Sequence, residues 1–423
     1  MKIASQHLEE MGKWKSTVPE NIHFVWIGLF SNLNTDYIKI WRDVNRDKSC
    51  YLWLDKGSTY CTEFHNSIEK YISKNSKTPV ESLITLKNEA FEYIYPKVLE
   101  GYEFNTLALD FLKEKNIPFE LDKTSQSNIC SCVKYVEEKD ITTIFTNQFL
   151  MLKKYYYYEL ILRGNQASAS DIVRLIILYK YGGVYIDVDT LPDFDSVFRH
   201  TNQYLMSNRI VDNQYISLSK TKLALQVLSC KRTNIQNGYD YLDDCFHLSS
   251  HEKKEIRENI FLDLYDFNLN RIPPIGKVFV YENLLALGSI KRLKGIYYNN
   301  VIASHPGSKS IGIILCSIKK RYRFIEKHDA IFSLYEDKAP YHYLSRLLGW
   351  RDESRQKISI TPVLTGPGLI VEVMLGLAYE LVEFDNSITP CDIANYFQNE
   401  DFGIAFFRHN LDTPYGLVSS WRS

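Results

Sequence analysis

The chain has 423 residues, of which 45% are hydrophobic and 24% are charged, a composition typical of a globular protein that could hold two or three domains. The formal net charge of −1 excludes the global basic field that would favour nucleic acid as a partner. No apolar stretch is long enough to span a bilayer, and the N-terminus lacks the apolar core of a secretory signal. Only Cys130 and Cys132 lie close together, so the cysteines predict reduced thiols in a cytosol rather than a zinc site.

The first elements predict the start of an α/β fold. Residues 21–28 and 51–55 have the pattern of strands, and residues 33–44 between them have the pattern of a helix. The buried stripe of that helix is predicted to consist of Leu33, Tyr37, Trp41 and Val44, which recur at helical spacing.

Residues 60–160 are richer in Glu, Lys and Asn, and we interpret them as a mostly helical insertion. Within it, the run of four tyrosines at 155–158 is interpreted as core packing, since aromatic stripes are usually buried.

A buried helix is predicted next, ending at Tyr181. Ser168 or Ser170 can cap it, Asp171 suits its positive first turn, and the following Gly182-Gly183 pair ends it. Asp171 and Arg174 lie three residues apart, so they share one face of the helix. In isolation, a capping acid with an intrahelical salt bridge explains them.

A strand over 184–188 carries Asp187 and Asp189 where its apolar run stops. Alternate residues of a strand share a face, so the two carboxylates should point together. Such hard oxygen ligands suit a Mg²⁺ or Mn²⁺ ion that keeps waters and holds a diphosphate, which is the chemistry of a nucleotide-sugar donor. An Asp-x-Asp alone does not decide this, because acidic turns after strands are common. Beside this carboxylate pair, we favour Asp171 on a sugar hydroxyl and Arg174 on a sugar hydroxyl or phosphate oxygen.

The second half of the chain begins with a predicted strand at 215–218. Residues 231–360 are interpreted as a second, mostly helical insertion, broken at Pro273-Pro274 and at 305–307. The basic run Lys319-Lys320-Arg321-Tyr322-Arg323-Phe324 favours a solvated helix face. Peripheral contact with anionic lipid headgroups, or with an acidic protein surface, is the less favoured alternative.

Five segments, distributed from residue 21 to residue 421, together form one pattern along the chain. They are Asn21–Gly28 with Trp41–Asn45; Asn165, Ala169–Ile172, Arg174 and Gly182–Pro192, which includes Asp187-Val188-Asp189; Asp212–Ser217; Leu364–Gly368; and Ser419-Ser420-Trp421. Together and in this order, they resemble the signature of the glucosylating large clostridial toxins, the toxin A and toxin B family. The resemblance implies a GT-A fold, a Rossmann-like α/β core that binds a nucleotide-diphospho-sugar, here with large helical insertions.

The resemblance also implies roles for single residues. Asp189 would be the direct metal ligand, with Asp187 on the ribose or sugar and on the metal through water, and Mn²⁺ (or Mg²⁺) as the ion. Catalytic roles are predicted for Asp171, Arg174, Asp187, Asn213 and Trp421, whose indole N–H would reach the glycosidic oxygen. Donor-binding roles are predicted for Val25, Trp26 as the platform for uracil, Ser170, Tyr185, Gln214 and Ser419, with Ser419 completing the metal shell.

Three positions depart from the family pattern. Gly416 stands where the family has an acid before its closing Ser, Gly368 replaces the Glu of its Ser-Gly-Pro-Glu turn, and Asp212 stands in place of Ile. The retained Gln214 favours UDP-glucose over UDP-GlcNAc, because a bulky side chain beside the sugar excludes an N-acetyl group.

The predicted organisation has four parts. They are a short N-terminal segment at 1–20, a donor-binding core at 21–230, a candidate acceptor-recognition insertion at 231–360, and a C-terminal part of the core at 361–423 with the closing Ser-x-Trp loop. The resemblance covers no membrane-localising or translocation region, so we expect a stand-alone effector or a cut-out domain.

The predicted activity is retaining transfer of a hexose from a UDP-sugar to a hydroxyl of a host protein. The resemblance implies a small GTPase of the Rho, Ras or Rab type as acceptor, and a bacterial product secreted without a cleavable signal that acts in the host cytosol. Two alternatives remain open: transfer to lipid or polysaccharide, and a catalytically dead UDP-sugar-binding module.

Overall fold

The computed structural model describes residues 15–119, 136–193, 195–228, 241–290, 297–335, 340–351, 360–382, 388–397 and 405–409. The strands are Lys15–Thr17 (β1), Asn21–Trp26 (β2), Ser49–Leu54 (β3), Glu137–Asp140 (β4), Gly183–Ile186 (β5), Phe279–Tyr281 (β6), Leu285–Ile290 (β7), Tyr297–Ser304 (β8) and Ala405–His409 (β9). The α-helices are Thr35–Val44 (α1), Cys61–Asn75 (α2), Pro79–Leu99 (α3), Phe104–Glu114 (α4), Leu150–Tyr157 (α5), Gln166–Tyr181 (α6), Arg199–Ser207 (α7), Gln214–Leu228 (α8), Ser250–Leu264 (α9), Lys309–Lys327 (α10), Thr361–Leu364 (α11), Pro367–Val382 (α12) and Pro390–Phe397 (α13).

A mixed sheet with the strand order β4-β3-β2-β5-β8-β7-β9 organises the molecule. The first four of these strands are parallel, β8 runs antiparallel to β5, and β7 runs antiparallel to β8. The carboxyl ends of β2 and β5 therefore meet at one edge of the sheet, where open α/β sheets bind their ligands. A separate two-stranded sheet pairs β1 with β6.

Alternate residues of the central strands enter two hydrophobic cores. Tyr185 faces the core that contains α6, whereas its neighbours Val184 and Ile186 face the core that contains Trp41 of α1. This period of two is the geometry of a strand buried on both faces. The sheet thus holds helices on both sides, and the predicted α/β fold is confirmed.

Several predicted elements are confirmed with small shifts. Strands are present at Asn21–Trp26 and Ser49–Leu54, a helix is present at Thr35–Val44, and the described part of 60–160 is helical apart from β4. All four tyrosines of the 155–158 run are buried, as predicted.

Three predictions about local structure are wrong. Strand β5 spans Gly183–Ile186 rather than 184–188, so both carboxylates, Asp187 and Asp189, lie in the turn that follows it. Residues 215–218 belong to helix α8, because the segment continues into a helical run through Leu228. Helix α6 is capped by Asn165, whose side-chain oxygen accepts from the Ser168 N–H, so Asp171 lies beyond the first turn.

The prediction that 231–360 is mostly helical is wrong for the segments Phe279–Tyr281, Leu285–Ile290 and Tyr297–Ser304, which form β6, β7 and β8. Two of these strands complete the central sheet, and β8 lies directly beside β5. The boundaries of the four predicted parts and the acceptor role of 231–360 stay predictions. None of the helices in the described ranges is both long and apolar enough to cross a membrane.

Candidate active site

The candidate site is built around the turn that follows β5. The Thr190 N–H donates to the Asp187 carbonyl across the turn (3.0 Å), and the Asp187 N–H donates to the Asn300 carbonyl of β8 (2.8 Å). The Asn300 amide donates to the Thr190 hydroxyl (3.1 Å), and the Trp41 indole N–H donates to the Thr190 carbonyl (2.7 Å). These hydrogen bonds hold the turn against β8 on one side and α1 on the other. The backbone that carries the Asp187 and Asp189 carboxylates is therefore fixed in position.

The Gly182-Gly183 pair lets the chain turn from α6 into β5 in a very tight space. Gly182 has φ +62°, and a Cβ there would lie 2.6 Å from Pro306 Cδ. Gly183 has φ +95°, and a Cβ there would lie 2.6 Å from the Asn21 carbonyl oxygen. Only glycine meets both the backbone conformation and the close approach. The pair thereby lets the C-terminal end of α6 pack against β2, and it determines where β5 begins.

Arg174 joins the helix side of the site to the turn. Its guanidinium is 3.4 Å from Asp171 Oδ1 and 3.1 Å from Asp187 Oδ1. It also donates to the Asn299 carbonyl (2.8 Å) and to the Ser170 hydroxyl (3.2 Å) and carbonyl (3.4 Å). An arginine has five N–H donors, and these contacts engage all three of its nitrogens. Arg174 is therefore arranged to orient two carboxylates.

Asp171 is buried, and its carboxylate receives two further hydrogen bonds. The Asn299 side-chain amide donates to Oδ1 (2.8 Å), and the Thr365 hydroxyl donates to Oδ2 (2.9 Å). The Ser168 hydroxyl donates in turn to Thr365 Oγ1 (2.9 Å). Three segments that are distant in sequence, α6, β8 and the C-terminal end of α11, thus meet at one carboxylate.

Tyr185 lines the site from the strand. Its hydroxyl donates to Asp187 Oδ1, and the Arg174 guanidinium lies 4.5 Å from the centre of its ring. Burial raises the pKa of the Tyr185 phenol well above its usual range, so it stays protonated and acts as a donor. The prediction that Tyr185 and Asp187 lie on one side of the chain agrees with this contact.

The carboxylates of the site carry charge that the protein compensates only in part. Burial raises the pKa of Asp171 to about 6 against the opposing effect of Arg174, and it also raises the pKa of Asp187. Burial and the Asp187 charge raise the pKa of Asp189 to about 6. The Asp189 side chain nevertheless opens to solvent, and the Asp187 side chain is 26% exposed. An accessible excess of negative charge is what a cation site presents.

The two turn carboxylates fit a divalent metal ion. Hard carboxylate oxygens with an open side suit Mn²⁺ or Mg²⁺, which retain water and phosphate ligands rather than requiring a full protein cage. Among the described residues, no group of three or more His, Cys, Asp and Glu side chains surrounds such a position. The described protein ligands would therefore be Asp187 and Asp189.

Trp26 and Val25 lie at the carboxyl end of β2, next to the site strand. Val25 is buried, whereas Trp26 is half-buried and donates its indole N–H to the Leu29 carbonyl (3.1 Å). An indole anchored by its N–H at a strand end leaves an aromatic face for a planar base. Their predicted donor-binding roles stay predictions.

Asn213 and Gln214 lie at the beginning of α8. The Asn213 side-chain oxygen accepts from the N–H groups of Tyr215 (3.0 Å) and Ile216 (3.2 Å), and its amide contacts Cys245 Sγ (3.3 Å). This is the geometry of a helix N-cap. Gln214 is exposed. The asparagine that contacts Asp171 is Asn299, although sequence analysis proposed Asn213 for the role beside the sugar. Ser419 and Trp421 lie outside the described residues.

Asn299, Asn300 and the hydroxyl of Thr365 belong to the site, and no motif in the sequence predicted them. The available signal was a pair of polar amides inside a strand, Tyr297–Ser304, that is otherwise suited to burial. Polar amides in the middle of a strand require partners, and such residues point to a polar site.

The basic run at 319–324 is not a continuous surface. Arg321 is buried and pairs with Glu372 (2.7 Å), and Tyr322 is buried in the core. Only part of the run faces solvent, which agrees with the favoured interpretation of a helix face. Contact with lipid stays a prediction.

The comparisons with known proteins agree with this geometry. Residues 20–346 match the family described as the TcdA/TcdB catalytic glycosyltransferase domain. Toxin A of Clostridium novyi is 26% identical over 337 residues, which cover 72% of this chain and 14% of that toxin. Cytotoxin-L of Paraclostridium sordellii is 26% identical over 352 residues, which cover 76% of this chain and 14% of that protein. The chain therefore spans a small part of the length of these curated relatives.

Solved structures show the same fold. The catalytic domain of alpha-toxin from Clostridium novyi superposes with a TM-score of 0.74 at 20% identity, covering 99% of this chain and 83% of that one. The UDP-bound glycosyltransferase domain from the YGT toxin superposes with a TM-score of 0.59 at 16% identity, covering 96% and 82%. The predicted GT-A type of α/β fold is confirmed.

Proposed function

The chain belongs to the TcdA/TcdB catalytic glycosyltransferase domain family, and we propose that it transfers a hexose from a UDP-sugar to a hydroxyl of a host protein. The observation that carries the proposal is the cluster of Asp171, Arg174 and Asp187 beside the open carboxylate of Asp189, where the parallel strands β2 and β5 end. The likeness to a UDP-bound neighbour of the same fold supports the choice of nucleotide.

Breaking the bond between the sugar and UDP leaves negative charge on the diphosphate and positive charge on the sugar. A divalent ion held by Asp189 and Asp187, Mn²⁺ or Mg²⁺, would supply the positive charge that stabilises the departing diphosphate. In the proposed arrangement, the nucleotide base stacks on Trp26, and Ser419 and Trp421 of the C-terminal segment cover the donor. Excluding water in this way favours transfer over hydrolysis.

The protein's own residues hold the donor sugar in one orientation. Asp171 accepts hydrogen bonds from sugar hydroxyls, because Asn299, Thr365 and Arg174 fix its carboxylate. Arg174 aligns Asp171 with Asp187, since its donors are engaged by protein groups. The Asn299 amide contacts the Asp171 carboxylate and is proposed to border the sugar, in place of Asn213. Such fixed groups contribute by positioning and by electrostatic stabilisation.

Glucose is the proposed sugar, on the strength of Gln214, and a small GTPase of the Rho, Ras or Rab type is the proposed acceptor. The proposed setting is a secreted bacterial toxin or effector that acts in the host cytosol. The homology to secreted clostridial toxins supports this setting.

The test is transfer of labelled sugar from UDP-glucose or UDP-GlcNAc into host-cell lysate with Mn²⁺. The Asp187→Asn/Asp189→Asn variant should lose all labelling, whereas the matched surface variant Asp47→Asn/Asp110→Asn should keep it, because both of its side chains are exposed. Label in protein bands supports the proposal. Label in the lipid fraction alone would replace the protein acceptor with a lipid, and intact donor in every reaction would contradict the activity.

A further inference from the structure

A second cluster of charged side chains lies behind the site, inside the helical layer. The Glu159 carboxylate is fully buried and accepts from Arg163 Nη1 (2.9 and 3.1 Å), from the Tyr322 hydroxyl (2.5 Å) and from the Trp350 indole N–H (2.9 Å). Arg163 stacks over the Trp350 ring at 5.4 Å. The cluster joins α10 and the 345–351 segment to the stretch that precedes α6.

That stretch has an unusual backbone. Tyr158–Arg163 forms a π-helical turn, after which Gly164 has φ +70° and the Asn165 N–H closes onto the Glu159 carbonyl (2.9 Å). Such turns are rare in proteins and are frequently found at functional sites. The turn places Arg163 and Asn165 so that both side chains point to the same partner.

That partner is Thr361, the first residue of α11. Its hydroxyl oxygen accepts from Asn165 Nδ2 (2.8 Å) and from Arg163 Nη2 (3.4 Å). The Thr361 carbonyl then accepts the N–H groups of Thr365 (3.1 Å) and Gly366 (3.0 Å). Thr365 is the residue whose hydroxyl donates to Asp171. A continuous set of hydrogen bonds therefore runs from Glu159 to the carboxylate of Asp171.

We propose that Glu159, Arg163 and Thr361 are positioning residues: they fix the 361–366 turn so that Thr365 holds Asp171 in the orientation that the donor sugar requires. A buried ion pair is a poor device for stability alone, since apolar residues of similar volume usually serve as well or better. It does specify one geometry, because the Arg163 guanidinium contacts both oxygens of Glu159 and reaches the Thr361 hydroxyl at the same time. The inference rests on the proposed function, in which Asp171 contacts the sugar.

The test compares Thr361→Val, which keeps the shape and removes the acceptor, with Thr361→Ser, which keeps the hydroxyl. Arg163→Lys keeps a cation beside Glu159 but has no second arm for Thr361. The matched control is Thr201→Val, which removes a buried threonine hydroxyl bonded to the Asp263 carboxylate (2.7 Å) in another part of the fold. The measurements are kcat and KM for UDP-sugar hydrolysis, the unfolding temperature, and crystal structures of the wild type and Thr361→Val.

A misplaced Asp171 should lower kcat of Thr361→Val by about tenfold while KM for the donor stays within about twofold, because a small displacement of a catalytic group affects the transition state most. Thr361→Ser should retain the wild-type kcat. The Arg163→Lys/Thr361→Val double variant should fall no further than Thr361→Val, because both changes remove one interaction. Thr201→Val should lose stability and keep its kcat.

The proposal is overturned if Thr361→Val has the wild-type kcat, if Thr361→Ser falls as far, or if Thr201→Val loses kcat equally. The crystal structures separate this failure from failure of the proposed function. In Thr361→Val, the contact between Thr365 Oγ1 and Asp171 Oδ2, 2.9 Å in the wild type, should lengthen beyond hydrogen-bonding distance. An unchanged contact contradicts the positioning role even if no UDP-sugar is hydrolysed, whereas a lengthened contact without hydrolysis contradicts only the activity.

Discussion

Two clusters in this molecule combine buried acids with an arginine, and they differ in how completely the charges are matched. Around Glu159, one carboxylate receives Arg163, a tyrosine and a tryptophan, and none of it is exposed. Around Arg174, one cation faces Asp171 and Asp187, with Asp189 nearby and open to solvent. The first cluster is saturated and holds structure. The second has excess negative charge on an open side, which is the state that binds a cation and a ligand.

Removing the arginine from each cluster should produce the largest difference between the two clusters, in stability for one and in kcat for the other. Arg163→Met leaves the Glu159 charge buried and unpaired, so the free energy of unfolding should fall by about 3–5 kcal/mol. Arg174→Met should cost less stability, because Asp171 and Asp187 already have raised pKa values and can take up protons. It should nevertheless lower kcat by about 100-fold, since it frees both carboxylates.

Chemical denaturation at pH 7 and donor-hydrolysis kinetics measure the two effects. Arg163→Lys and Arg174→Lys are the matched controls that keep each cation. An equal loss of stability in the two methionine variants would contradict the difference between the clusters.

Part of the pH dependence of stability should come from the open cluster. The folded pKa of Asp171 is about 6, above its ordinary value of 3.8. Between these values the folded state keeps a proton that the unfolded state has released, so stability falls as pH rises from about 4 to about 6. The contribution is about 3 kcal/mol across that window. In Asp171→Asn this component should disappear, which urea titrations at several pH values will show. Parallel curves for the two proteins would contradict the shift.

Replacing Asn299 and Asn213 separately by alanine should show which of the two asparagines acts in the site. Asn299→Ala removes a hydrogen bond to the buried Asp171 carboxylate, so kcat should fall by about tenfold or more, equivalent to about 1.5–3 kcal/mol. Asn213→Ala removes the cap of α8 and should cost about 1 kcal/mol of stability with a smaller effect on kcat. Hydrolysis kinetics and thermal unfolding distinguish the two, and the reverse ranking in kcat would restore Asn213 as the residue beside the sugar.

The smallest effect is expected at Tyr185. Tyr185→Phe keeps the ring under Arg174 and removes the hydrogen bond to Asp187, so kcat should fall by only about threefold to tenfold. Mn²⁺ titration by calorimetry should show weaker binding if the phenol orients Asp187. Unchanged metal affinity together with unchanged kcat would leave the phenol without a role in the site.

The part of the site that sequence could predict is local in the chain. The periodic apolar positions of α6, its two terminal glycines and the short connection to β5 place Asp171 and Arg174 near Asp187 within 16 residues. The parallel pairing of β2 with β5 follows from the same alternation of strand and helix.

The rest depends on distant contacts. Asn299 reaches Asp171 across 128 residues, from an antiparallel strand in a region whose sequence pattern favours a helical insertion. Thr365 reaches Asp171 across 194 residues, from the C-terminal end of α11. The apolar Tyr-Ile-Ser-Leu run at 215–218 fits a short strand as well as a helix, and the helical continuation decides it. The motif at 212–217 therefore suggested Asn213, whereas the fold places Asn299 at the carboxylate.

The most direct measurement of the central claim is single-turnover hydrolysis of UDP-glucose with saturating Mn²⁺ by the wild type and by Asp187→Asn/Asp189→Asn. The account predicts cleavage of the donor by the wild type and a rate at least about 10³-fold lower in the variant, with an unfolding temperature equal to or above that of the wild type, because the fold disfavours both charges. Equal rates in the two folded proteins would contradict the claim that these carboxylates form a donor-sugar site.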